Sequence, residues 1–137
     1  MSAPSLLLRQ DVVEALRRGT VPRRGLDLFA VGTDRFGRAL GEELDRCAAL
    51  GSVFKALRGD FGCGKSFTAR WYQQQAMQRG FAVAEVQVSE NDTPLHHLET
   101  VYRRAMESLR TAEWDTGAFR AVISQWLMGL EEEVTRR

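Results

Sequence analysis

The chain has 137 residues and is sparing with those that would commit it to a special environment. It has two cysteines, Cys47 and Cys63, sixteen positions apart and in no C-x-x-C pair. A disulfide framework does not follow, and reduced thiols are expected. Its apolar runs are only a few residues long, Leu6-Leu7-Leu8 among them. A spanning helix needs about 20 such residues, and a secretory signal about 7–15 after a basic start. No membrane partner is implied, and the expected address is the cytoplasm. Neither sign of charge dominates: the net charge is +1, with 10 basic against 8 acidic residues in 1–64 and 9 against 10 in 65–137. No general polyanion-binding role follows, and nucleic acid as a partner stays open. Lysine is scarce, with Lys55 and Lys65 set against 17 arginines. Internal repeats and low-complexity tracts are missing. What is present, 44% hydrophobic and 27% charged residues, is ordinary globular composition. The length suits one domain that needs no metal or disulfide staple.

The pattern along the chain predicts a short helix near 11–18, opened by an Asp11–Glu14 capping box and stopped at Gly19. A connector follows over 20–32, punctuated by Pro22 and Gly25. Phe36, Leu40, Leu44 and Cys47 recur at helical spacing from about Thr33, and Gly51 ends that helix. Residues 52–58 (SVFKALR) and 81–88 (FAVAEVQV) read as strands. Between them a helix is expected from about Lys65 to Arg79, stopped at Gly80. Thr93-Pro94 reads as a helix start, and a last helix is expected from about Gly117. The order α-α-β-α-β-α-α predicts an α/β protein built around one parallel crossover.

The segment joining the first strand to its helix carries the chemistry. Gly59-Asp60-Phe61-Gly62-Cys63-Gly64-Lys65-Ser66 fits G-x-x-x-x-G-K-[ST], the Walker A phosphate-binding loop. At average glycine usage a chance match in a chain this long arises in roughly half a per cent of cases. Gly62 and Gly64 can take positive φ without a Cβ clash. Loop amides then converge as a nest for phosphate oxygens, and the helix that follows adds its dipole and unpaired donors. Lys65 is expected to reach the β- and γ-phosphates, and the Ser66 hydroxyl to bind the Mg²⁺ that bridges them. Hydrolysis needs a further element, an apolar strand ending in a carboxylate. Phe81–Glu85 ends in Glu and is the first strand after the loop helix. Leu127–Glu132 has helical periodicity, and Leu28–Asp34 lies upstream. None is a convincing Walker B, so turnover by this chain alone is not expected.

From about Val12 to Glu133 the chain resembles the N-terminal part of the BrxD-like ATP-binding proteins of BREX phage-defence systems, AAA+-like P-loop ATPases. The pieces that carry the resemblance are VVEALRRGTVPRRGL (12–26), AVGTD (30–34), FKALRGDFGCGKSF (54–67) and RGFAVAEVQVSENDTPLHHLETVYRRAMESL (79–109). The last is the most specific. The resemblance implies an N-terminal helix and connector over 1–32 and a partial P-loop domain over 33–137. It implies an AAA+-like P-loop NTPase fold with an incomplete parallel sheet flanked by helices, and ATP with Mg²⁺ as ligands. Gly59 to Phe67 would hold the phosphates, and Val31 and Gly32 would line the adenine pocket. Thr33 stands where such relatives carry arginine. Relatives of this kind are longer, so the chain is expected to be an N-terminal fragment, marginal in stability or oligomeric. Self-association and other defence-system proteins are the implied partners.

The remaining chemistry-bearing residues have plainer readings. His96 and His97 are adjacent, not at the i,i+4 spacing of a metal pair. Cys63 could have its thiol activated by the helix start and Lys65, or be a small tolerated loop residue. Trp71 and Tyr72 could stack bases but on the loop helix read as core. Two further functions stay open: a non-catalytic interaction fragment with weak nucleotide binding, and a small P-loop phosphotransferase.

Overall fold

Ser5 opens the first helix in the computed structural model, which describes residues 4–135 apart from the side chains of Asp34 and Arg35. Its Oγ accepts the Leu8 amide at 3.3 Å, so α1 runs Leu6–Arg17 and starts more than a turn before the expected capping box. It closes as predicted: Gly19 N–H donates to Leu16 O and Thr20 N–H to Ala15 O, the paired bonds of a Schellman motif. A 3₁₀ turn over Leu26–Leu28 interrupts the connector, and α2 follows over Asp34–Ala48. The helix over Lys65–Gln78, α3, starts where the sequence places it. Next come α4 (Leu98–Glu107) and α5 (Ala118–Thr135).

The described residues contain no strand and no sheet, which overturns the expected α/β P-loop fold with its parallel sheet. Residues 52–58 take no regular secondary structure, and Phe54 is 93% exposed. A strand gains its stability from a neighbour that takes its N–H and C=O groups and covers one face. These residues find neither. Lys55 anchors the segment, with its Nζ 2.7 Å from Glu43 of α2 and 5.5 Å from the Tyr72 ring centre. Hydrogen bonding to Glu43 holds the Lys55 pKa above its ordinary value, against the opposing effect of burial. The pair's contribution is therefore complete below the unfolded lysine pKa of about 10.4 and is lost as pH rises through the higher folded value. Residues 81–88 form only an isolated antiparallel bridge, Val83 to Arg110.

The described chain divides into two compact units, the first ending at Gln75 and the second beginning at Ala76. The core of the first is Leu26, Leu40 and Trp71, with Val21, Phe29, Ala30, Leu44, Phe67 and Tyr72 packed around it. The connector is bound to α3 by polar contacts as well. Asp27 accepts Trp71 Nε1–H at 2.9 Å, Gln75 Nε2–H at 3.0 Å and a bond from Gln74 Nε2. Leu26 N–H donates to Gln74 Oε1, and Arg70 donates to Val21 O at 2.6 Å.

In the second unit Val83, Thr93 and Ala118 are buried. The Val83–Arg110 pair exchanges two backbone bonds of 2.9 and 2.8 Å. Thr93-Pro94 does not start a helix. Ser89 Oγ accepts the amides of Asp92 and Thr93, and the Thr93 carbonyl accepts Ser89 N–H, so this backbone is committed to a tight turn. Helix α4 begins four residues beyond Pro94.

Helix α2 ends on Leu50, not on a glycine. Leu50 takes φ 63° and is fully exposed, while Gly51 N–H donates to Arg46 O. A left-handed leucine costs of order 1–2 kcal/mol. Leu50→Gly is expected to stabilise the chain by about 1 kcal/mol in urea unfolding; no gain would mean the helix end is not held in this form.

Candidate functional site

The loop at the start of α3 is built by two glycines. Gly62 and Gly64 take φ 84° and 87°, a region that a Cβ disfavours. Their two reversals carry the chain from the 52–58 segment into the helix. The Cys63 amide donates weakly to Asp60 O at 3.3 Å, closing the turn. The first backbone bond of α3 runs from Thr68 N–H to Gly64 O at 2.9 Å, and the Thr68 hydroxyl donates to the same oxygen. The helix therefore makes no use of the amides of Lys65, Ser66 and Phe67, and they are the donors that an anion at its N-terminus would use.

Lys65 folds back over this loop. Its Nζ donates to Gly59 O at 2.8 Å and Asp60 O at 2.6 Å, and lies 3.8 Å from Cys63 Sγ. Both carbonyls are at the exposed surface, so water can replace the ammonium when it leaves them. The lysine is parked on its own loop, not locked into the interior. Gly59 is needed for a different reason from Gly62 and Gly64. A Cβ at that position would lie 2.5 Å from Cys63 Sγ. The thiol lies against the Gly59 backbone, and both cysteines are free.

The predicted phosphate residues Gly59, Asp60, Phe61, Gly62, Cys63, Gly64, Lys65, Ser66 and Phe67 thus form one contiguous turn and helix start. Phe61 and Ser66 are exposed, while Phe67 turns inward against Phe29, with ring centroids 5.4 Å apart. That contact is the structural link to the predicted base residues, since Val31 and Gly32 follow Phe29 and Ala30 in the chain. Val31 itself is 92% exposed and Gly32 is exposed, so neither walls a closed pocket. Trp71 is buried on Asp27 as a core residue, as its place on the loop helix predicts. Leu127–Glu132 lies within α5, as its periodicity predicts.

Sequence reasoning missed Asp27, whose carboxylate gathers three donors from α3. An aspartate in a connector carries no signal of its own. The only hint is that Trp71, Gln74 and Gln75 are grouped on one helix. The second unit holds a groove of about 500 Å³ lined by Glu85, Asp92, Glu107, Ser108 and Arg104 among others. Three carboxylates in that lining oppose a phosphate ligand. Among the described residues no group of three or more His, Cys, Asp or Glu could hold a metal, and no helix is long and apolar enough to cross a membrane.

The segment is a glycine turn at a helix start, with two positive-φ glycines and a lysine folded over the turn. The chain belongs to the family described as BREX system ATP-binding protein BrxC/D, whose model matches residues 7–137. It is thereby placed among the ATP-binding components of BREX phage defence. No curated protein and no solved structure matches it.

The thiol against Gly59 yields a test of the loop. Gly59→Ala is expected to destabilise the first unit by about 1 kcal/mol, through overpacking at a partly yielding site. Cys63→Ala in the same chain should restore most of that loss in thermal unfolding. Equal losses in the single and double variants would show that the sulfur is not what Gly59 accommodates.

Proposed function

We propose that the Gly59–Ser66 turn binds the triphosphate of ATP, and that this loop is how the chain serves as an ATP-binding member of its family. The supporting observation is the loop itself: positive φ at Gly62 and Gly64 beside the Lys65 ammonium at the start of α3. In this reading the amides of residues 64–67 take the phosphate oxygens, and Lys65 leaves the carbonyls of Gly59 and Asp60 for the β- and γ-phosphates. Val31 and Gly32 contribute to the base end from the segment that Phe29 anchors to α3.

In this reading Mg²⁺ would arrive on the nucleotide. Mg²⁺ usually keeps several waters and takes one or two protein oxygens besides the phosphates. Ser66, exposed at the second position of α3, supplies that oxygen. Bound Mg²⁺ would neutralise phosphate charge, while the chain's own residues orient and hold the anion. No carboxylate for activating water is assigned, so the function proposed is binding, and the nucleotide acts through self-association or on other BREX components in the cytoplasm.

A fluorescent ATP analogue with Mg²⁺ tests the proposal. Saturable binding is expected, and Lys65→Ala should weaken it by at least about 30-fold, the loss of charged hydrogen bonds worth roughly 2 kcal/mol. Ser66→Ala should reduce the gain that Mg²⁺ brings while sparing Mg²⁺-free binding. Equal weak binding by wild type and Lys65→Ala would favour the interaction-fragment reading and overturn this one.

A further inference from the structure

Helix α5 is only partly covered. Ala118 is its one buried residue, Ala121 and Val122 are half-buried, and every residue from Ile123 to Thr135 is exposed. Yet one face of it is apolar. Phe119, Ile123, Trp126, Leu127, Leu130 and Val134 fall on a single stripe, exposed by 40% at Phe119, Ile123 and Leu130 and by 61% and 75% at Trp126 and Val134. At 1.5 Å per residue the stripe is about 22 Å long. Leaving such a face in water is unfavourable, and a second helix is what fits it.

The stripe also says which helix. Its spacings are 4, 3, 1, 3 and 4, and they read the same in both directions. A copy of α5 laid antiparallel, with the two-fold axis between Trp126 and Leu127, sets Phe119 against the copy's Val134 and Ile123 against the copy's Leu130. Trp126 then meets the copy's Leu127. Charge is compatible with the same pairing. Arg120 and Glu131 are eleven residues apart, three turns, so they flank the stripe on one side near opposite ends. In the antiparallel pair Arg120 of each helix lies on the same flank as Glu131 of the other, about two residues or 3 Å apart along the axis, whereas a parallel two-fold pair would put them on opposite flanks. An isologous two-fold contact needs this kind of self-complementarity.

We propose that α5 is a self-association surface and that its occupant is a second copy of this chain, paired antiparallel about the Trp126–Leu127 step. The surface lies wholly in the second unit, and the pairing does not depend on the nucleotide reading.

Sedimentation equilibrium of the full chain at micromolar concentration tests it. The expected mass is twice 15.4 kDa. Trp126→Glu should give a monomer of unchanged helicity by circular dichroism, and Leu7→Glu, at an exposed apolar position of α1, should leave the dimer intact. Arg120→Glu and Glu131→Arg should each weaken the dimer about tenfold, through lost attraction plus new repulsion at two symmetric sites. The double reversal should restore it. A monomeric wild type, a dimer indifferent to Trp126→Glu, or a double reversal no better than the singles would each overturn the proposal.

Discussion

The first unit turns on the carboxylate of Asp27. By accepting Trp71 Nε1–H and side-chain amides from Gln74 and Gln75, it fixes the connector to the middle of α3. Leu26, wholly buried beside it, is held there with Trp71 and Leu40. With the middle of α3 bound, its N-terminus has a defined position, and the glycine turn before it inherits that position. Phe29 against Phe67 adds an apolar contact at the loop end of the same helix. A binding loop is useful only if its amides point the same way from one moment to the next. Here the connector braces the helix that follows the loop, and no sheet is present among the described residues.

That arrangement explains what could be read in advance. The α3 start at Lys65, the Gly19 stop of α1 and the start of α5 just after Gly117 are local: a turn residue and a helical period suffice. The Gly59–Ser66 spacing is equally local, and the glycine turn and helix start it predicts are present, while its phosphate-binding role is a proposal. Strand formation was not legible, because strand identity lies in the partner. SVFKALR and FAVAEVQV have β-forming residues, but they fall in different compact units; the first finds no backbone partner among the described residues, and the second only the isolated Val83–Arg110 bridge. Thr93-Pro94 failed for a related reason. Ser89 takes the Thr93 amide first, a competition invisible without the fold. Asp27 was illegible because its importance depends on three residues more than forty positions away.

Family membership and local geometry meet at the loop. The BrxC/D match spans 7–137 and so includes every residue that builds it. The two lysines have separate duties. Lys55 is tied to Glu43 and steadies a segment without regular secondary structure, while Lys65 rests on two surface carbonyls it can leave. The thiol of Cys63 fills the space beside Gly59, so the loop is packed on one side and open on the other.

Amide chemical shifts in a ¹⁵N-labelled chain titrated with Mg²⁺-ATP test the central claim most directly. The account predicts the largest changes at the amides of Gly62, Gly64, Lys65, Ser66 and Phe67, saturating together, with smaller changes at Val31 and Gly32. Changes centred instead on the acidic groove around Glu85, Asp92 and Glu107, or none in the loop at saturating nucleotide, would contradict it.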